Sequence, residues 1–314
     1  MGTIQERIKR FQGYNSKMKQ PKVGIITCTY NQKELLEKCF DSLREKTDYK
    51  NYRVFFVDDS GKGEIAKHIR KKFPWINVTA NKKNLGFAGA HNVGMDKAIK
   101  EYDPDYLLLL NDDTEMIHDD WLRRIVEVGE KDEKIGILGG KIVYEDKTLQ
   151  NIGGYLRGWE LVKELDGDRK DVFEVDHIMG AFFLIKRKVA NEIGLLDEKY
   201  NPYLLEDTDY CLNAKKKGFK VVSVPFVKII HKKGKTLSTL ESSKKMFIRF
   251  RNDVYFSRKN LHGWGKFVRI FVYLPFVAIF KKKNDEASLN PGNFRLRKEF
   301  IRNLGLYCKA FWGF

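Results

Sequence analysis

The chain has 314 residues, 42% of them hydrophobic, enough to bury one large core with extensions or two small ones. Its formal charge of +17 is uneven: residues 211–314 hold 24 Lys and Arg against 5 Asp and Glu, a net +19, so residues 1–210 carry −2. Cys28, Cys39, Cys211 and Cys308 lie far apart without CxxC spacing, which argues against a zinc cluster or disulfide framework and fits a reducing, cytoplasmic compartment. The first twenty residues are polar and basic without an apolar core, so no secretory signal is expected. The basic last third points to nucleic acid or an anionic membrane surface as a partner.

Taken in order, VGIITCT from Val23 predicts a buried strand that ends in the polar turn Thr29-Tyr30-Asn31. Leu35, Leu36, Cys39, Phe40 and Leu43 then recur at helical spacing. A second buried strand, Val54 to Val57, ends in Asp58 and Asp59, and a helix over Gly63 to Phe73 and a strand over Ile76 to Ala80 follow. NLGFAGAHNVG, Asn84 to Gly94, carries three glycines and leads into a helix with Met95, Ala98 and Ile99. Its place and spacing are wrong for a dinucleotide fingerprint, which disfavours hydride transfer. Either a nucleotide approaches this helix start closely, or the glycines permit tight packing.

Tyr106 to Leu110, YLLLL, reads as a buried parallel strand that delivers Asp112 and Asp113 at its far end, where ligands bind in such sheets. Adjacent carboxylates there suit a divalent cation, Mg2+ or Mn2+, held against substrate phosphates. The plainer alternative is a pair of solvated acids capping a helix that begins near His118. Trp121 to Glu130 predicts a helix and Ile135 to Val143 a strand. Glu145 to Asp176 looks like a polar, irregular excursion over a site. Asp176 to Gly180 leads into the strand AFFLI, and a short helix covers Val189 to Ile193.

Glu206, Asp207 and Asp209 open a helix. Acids suit a first helical turn, yet three within four residues exceed what capping needs, and one of them could act as a general base toward a hydroxyl. The strand VVSVPFVKII then delivers His231 among lysines, a structural histidine or a metal ligand.

Together these motifs resemble the family 2 inverting glycosyltransferases of GT-A fold, in the rhamnosyltransferase and galactofuranosyltransferase branch. The resemblance covers about Val23 to Asn260 and rests on TYN, VDDSG, NLGFAGAHNVG, LLNDDT, GAFFLIKR, LLEDTDYCLNAKKKG and IIHKKGKT in the family's order. It implies an α/β, Rossmann-like, mostly parallel sheet flanked by helices, with a basic helical C-terminal extension. It divides the chain into a basic segment (1–20), a catalytic domain (21–238) and a helical, basic region (239–314) that is a candidate for membrane association. By the same resemblance, Thr29, Tyr30, Asn31 and Asp58 hold the base and ribose of a sugar nucleotide, and Asn84, Gly86, Gly89, Asn92 and Asp112 lie along it. Asp113 and His231 ligate the metal. Asp207 is the base with Glu206 beside it, and Asp176, Gly180 and Asp209 face the acceptor. His91 stands where relatives often have Asn, so it either touches the donor or fills space.

The implied activity is metal-dependent transfer of a sugar from a dTDP- or UDP-linked donor, rhamnose first, to a glycan or lipid-linked acceptor in cell-surface polysaccharide or glycoconjugate synthesis. A sugar nucleotidyltransferase is the nearest rival, but VGIITCTYNQ lacks the expected glycine-rich loop and basic residue. A nucleic-acid-binding protein is the second rival, and no zinc finger, aromatic RNP motif or GXXG clamp accompanies the charge. The tail predicts helices over Leu240 to Asn260, Phe267 to Phe280 and Phe294 to Phe314. At 14 residues, with Arg269 and Pro275 inside, the middle one is shorter than the ~20 residues a spanning helix needs. It reads as an element lying on the inner face of the cell membrane, or else packing on the core or on a second subunit as a homo-oligomer.

Overall fold

The computed structural model describes residues 20–157, 160–165, 167, 169–232, 242–273, 305–306 and 308–309. The chain runs β1 (Val23–Thr29), α1 (Lys33–Glu45), β2 (Tyr52–Asp58), α2 (Glu64–Lys72), β3 (Asn77–Ala80), α3 (Gly86–Tyr102), β4 (Tyr106–Leu110) and β5 (Thr114–Met116). It continues through α4 (Trp121–Glu130), β6 (Ile135–Val143), β7 (Leu149–Asn151), β8 (Gly154–Arg157), β9 (Glu160–Glu164), β10 (Phe173–Glu174), β11 (Phe182–Lys186) and α5 (Arg187–Ile193). The last elements are α6 (Glu206–Lys216), β12 (Lys220–His231), α7 (Ser242–Asn260) and α8 (Gly263–Val268), which passes into a π-helical turn at Arg269–Tyr273. The expected segment before residue 20, the motif beyond Lys232 and most of the expected helices past Tyr273 lie outside the described residues.

The main sheet has the order β10-β12-β6-β11-β4-β1-β2-β3, with β5 added to β12 and β7 to β6. Strands β3, β2, β1 and β4 are parallel, and β12 is parallel to β6. Strand β11 runs against both β4 and β6 and so joins the two parallel parts. Every residue of YLLLL is buried, as a strand covered on both faces requires. Successive residues of β1 face opposite sides: Ile25 enters the cluster built on α1 and α4, Ile26 the one built on α3, α5 and α6. On the first side Phe40 meets Phe56 and Phe73 edge-on, at 5.7 and 5.5 Å between ring centroids.

One segment differs from expectation. The stretch from Glu145 to Asp176 contains β7 on the edge of β6, the hairpin of β8 and β9, and β10 on β12. Its polar composition hides strands that lie at sheet edges, where one face remains wet. Beyond the boundary expected at 238, α7 packs into the catalytic body, burying Phe250, Asn252, Val254 and Phe256. Phe256 joins Tyr200 and Leu205 in a small cluster of its own. Among the described residues no helix is long and apolar enough to cross a membrane.

Candidate active site

The carboxyl ends of β1, β2 and β4 and the start of β11 open on one edge of the sheet, and the predicted acids gather there. Asp112 and Asp113 occupy the turn between β4 and β5; both are buried, so they are not solvated acids, and the next helix begins only at Trp121. Burial, and then the charge of Asp113, push the Asp112 carboxyl up to about 7. The Thr29 hydroxyl donates to Asp112 Oδ2, so the TYN turn and the acidic turn meet.

Strand β12 pairs with β5 so that His231 faces Thr114, which carries the imidazole to the acids. His231 Nε2 lies 3.1 Å from Asp113 Oδ1. The ring's Nδ1–H donates to Gln150 Oε1 at 2.9 Å, and Asn111 Nδ2 donates to Nε2 at 3.3 Å. In that tautomer a nitrogen lone pair faces a carboxylate, an arrangement relieved by a cation or a second ring proton. Gln150 is the outer partner that fixes which nitrogen is presented to a metal. Among the described residues no group of three or more His, Cys, Asp or Glu side chains is placed to hold a metal ion. A carboxylate and an imidazole nonetheless fit Mg2+ or Mn2+ when substrate phosphate oxygens and water complete the shell.

Asp207 stands in the first turn of α6. Its Oδ2 accepts from Gly180 N–H at 2.8 Å, and its Oδ1 accepts from Thr208 N–H at 2.7 Å and the Thr208 hydroxyl at 3.3 Å. The Thr208 hydroxyl in turn lies 3.1 Å from His177 Nδ1. The two halves share a bridge: Asn111 N–H donates to Ala181 O at 3.1 Å, while Gly180 beside it holds Asp207. Glu206 is buried, its Oε2 meets no donor among the described residues, and burial followed by the Asp207 charge pushes its carboxyl well above the usual range. A carboxyl pushed up in this way is the poorer candidate for a base, which leaves half-buried Asp207 as the better one.

The remaining predicted residues divide. Tyr30 and Asn31 are exposed at the end of β1, as is Asn84. Asp58 is fully buried, accepting from Ser60 N–H and Ala66 N–H at 3.0 and 2.8 Å, which ties β2 to the start of α2. The glycine-rich start of α3 is occupied by protein: Asp59 accepts from Leu85 and Gly86 N–H, Pro202 O from Phe87, and Asn201 Oδ1 from Ala88 and Gly89. Gly86 has φ +72°, and a Cβ there would lie 2.9 Å from Pro202 Cα; at Gly89 it would lie 2.9 Å from Leu85 Cβ. These glycines therefore serve close packing, and their amides are already engaged.

Three side chains have internal partners instead of facing a substrate. Asn92 exchanges hydrogen bonds with the Leu196 backbone, 2.9 Å each way, pinning α3 to that loop. Asp176 pairs with Lys215 and accepts from Leu156 N–H at 2.9 Å. Asp209, 2% exposed, accepts from Tyr200, Asn213, Lys259 and Asn260, and so fastens α7 to α6. Spacing alone does not separate Asp207 from Asp209. Their partners do: Gly180 and Thr208 meet Asp207, whereas Lys259 and Asn260 meet Asp209 on another side of α6.

His91 fills space behind Phe87, its Nδ1–H donating to Phe87 O at 2.8 Å. Burial pulls its pKa down from 6.5 to about 4. The native ring stays neutral while the unfolded ring takes up a proton, so stability falls as pH drops from 6.5 to about 4. That loss is on the order of 3 kcal/mol. His91→Asn is expected to flatten urea-derived stability across this window, and an unchanged slope would contradict the assignment.

Residues 24–194 match the family described as Glycosyl transferase family 2. The hexosyltransferase Agl10 of low-salt glycan biosynthesis in Haloferax volcanii is 23% identical over 235 residues, 73% of each chain. The rhamnosyltransferase WbbL of Escherichia coli is 24% identical over 226 residues, 67% of this chain and 83% of that one. Coverage differs among relatives, since an uncharacterized Sinorhizobium fredii protein is spanned over only 27% of its length. The structure of the mannosyltransferase PcManGT from Pyrobaculum calidifontis, in complex with GDP-Man and Mn2+, superposes with a TM-score of 0.58 at 14% identity, covering 98% of this chain and 94% of that one.

Proposed function

Because this chain belongs to glycosyl transferase family 2, a family of glycosyltransferases, we propose that it performs metal-dependent, inverting transfer of a hexose from a nucleotide diphosphate sugar to an acceptor hydroxyl. The observation that supports this reading is the Gly180–Ala181 bridge, which links Asp207 to the β4–β5 turn whose Asp113 meets His231 from the end of β12. Thr29 and the exposed Tyr30 and Asn31 receive the nucleotide, and Asp113 and His231 are the residues that would hold Mg2+ or Mn2+. When bound, the cation supplies charge for the leaving diphosphate. Asp207 takes the proton from the acceptor hydroxyl as its oxygen bonds to the anomeric carbon, while the bond to the diphosphate breaks and its electrons leave with that group. One displacement from the opposite face inverts the centre.

Calorimetry with Mn2+ and nucleotide sugars tests the metal assignment. Asp113→Ala is expected to weaken metal-dependent donor binding about tenfold or more. Undiminished binding would remove Asp113 from the site. Likeness to the rhamnosyltransferase WbbL favours rhamnose as the sugar, and the motif resemblance favours a dTDP carrier over UDP, with a glycan or lipid-linked acceptor. Stabilisation by UDP or GDP sugars but not dTDP sugars in a thermal-shift screen would overturn that choice.

A further inference from the structure

We infer that α8 and the π-helical turn after it form a docking surface for an anionic phospholipid bilayer. Trp264, Phe267 and Phe271, three and then four residues apart, are 76%, 47% and 53% exposed. They form one stripe, Phe267 lying 5.2 Å from the Trp264 ring and 5.0 Å from the Phe271 ring. The apolar demand of the protein interior is met by other residues of the same turn. Ile270 is buried, and buried Arg269 pairs with Asp253 at 3.1 Å. An exposed aromatic stripe on a segment already anchored from within marks an interaction site.

Charge identifies the partner. Residues 242–273 contain eight Lys and Arg and a single acid, Asp253; Arg251, Lys259 and Arg269 are engaged by Asn201, Asp209 and Asp253, and the other five are Lys244, Lys245, Arg249, Arg258 and Lys266. Beside the stripe, Arg258 and Lys266 join Gly263, Phe267, Ile270 and Phe271 around an open groove of about 440 Å³. Aromatic rings at the level of the headgroups, flanked by cations, are what an interfacial helix presents to anionic lipid. Nucleic acid fits less well. The Trp264 and Phe267 planes lie within 17° of each other, so their facing sides are taken by one another rather than offered to bases.

Sedimentation of the full chain with vesicles tests this without reference to the transferase reading. At low salt, binding to phosphatidylcholine vesicles containing about 30 mol% phosphatidylglycerol is expected, with little on phosphatidylcholine alone. The variant W264S/F267S/F271S is expected to bind about tenfold more weakly or worse, with donor binding intact. Trp264→Ser alone, at the most exposed of the three positions, gives a smaller loss in the same direction and guards against misfolding of the triple variant. Absence of sedimentation with anionic vesicles, or equal binding by the variants and the parent, would overturn the proposal. So would variants that abolish self-association but leave vesicle binding unchanged. None of these outcomes touches donor binding, so the failure of this surface and the failure of the transferase assignment are separable.

Discussion

Asp207→Asn is expected to lower kcat by about 10²- to 10⁴-fold, the usual contribution of a positioned general base. Donor binding should change little. The amide has the shape of the carboxylate and can still accept from Gly180 or Thr208, the partners that orient the native group, but it cannot take the acceptor's proton. Glu206→Gln provides the contrast. Burial and the Asp207 charge push its carboxyl well above the usual range, so an amide in its place is expected to cost less than at Asp207. Single-turnover transfer with calorimetric donor affinity separates the two. Full turnover in Asp207→Asn, or an equal loss in both variants with donor affinity retained, would displace Asp207 from the mechanism.

Asn252→Ala is expected to cost about 3 kcal/mol of stability and most of the transfer activity. Leu204 and Leu205, immediately before the first turn of α6, have φ of +88° and +76°, a left-handed conformation that branched side chains avoid. Each such residue stores roughly 1–3 kcal/mol unless its surroundings hold it. Asn252 is fully buried on α7, and its amide donates to the carbonyls of Tyr200 and Tyr203 at 2.8 Å and of Leu204 at 2.9 Å. Arg251 reaches the neighbouring carbonyl of Asn201. Without the Asn252 amide the leucine pair can relax, and Asp207 turns with it. Thermal denaturation and kcat measured together are the check; a melting temperature within about 2 °C of the parent would show that the clamp does little.

Much of the sheet is legible in the sequence because buried parallel strands read as apolar runs that stop at polar turns. YLLLL, VGIITCT and YRVFFVD all do so, and their ends place Thr29, Asp58 and Asp113. The direction of AFFLI is not legible, since a strand buried on both faces has the same pattern either way. The approach of His231 to Asp113 follows from a strand that ends in a histidine. The tautomer does not, because it depends on Gln150, which sits in a polar stretch without strand alternation. Asp207 and Asp209 look interchangeable as letters. Only the arrival of Lys259 and Asn260 from a distant helix turns Asp209 inward. Asn252 was hidden for a related reason: composition marks its region as basic and says nothing of one buried amide. Local chemistry is written locally, whereas the partners that hold it are written elsewhere.

The contacts that complete the cleft join distant parts of the chain. Thr29 reaches Asp112 across 83 residues, His231 reaches Gln150 across 81 and Asn111 across 120. Pairings so far apart in sequence are formed late, after the intervening chain has already lost its freedom. The cleft is therefore expected to assemble together with the long-range strand pairs of the sheet rather than with the helices. Regain of metal-dependent donor binding during refolding should report completion of the whole sheet, lagging the recovery of helical signal.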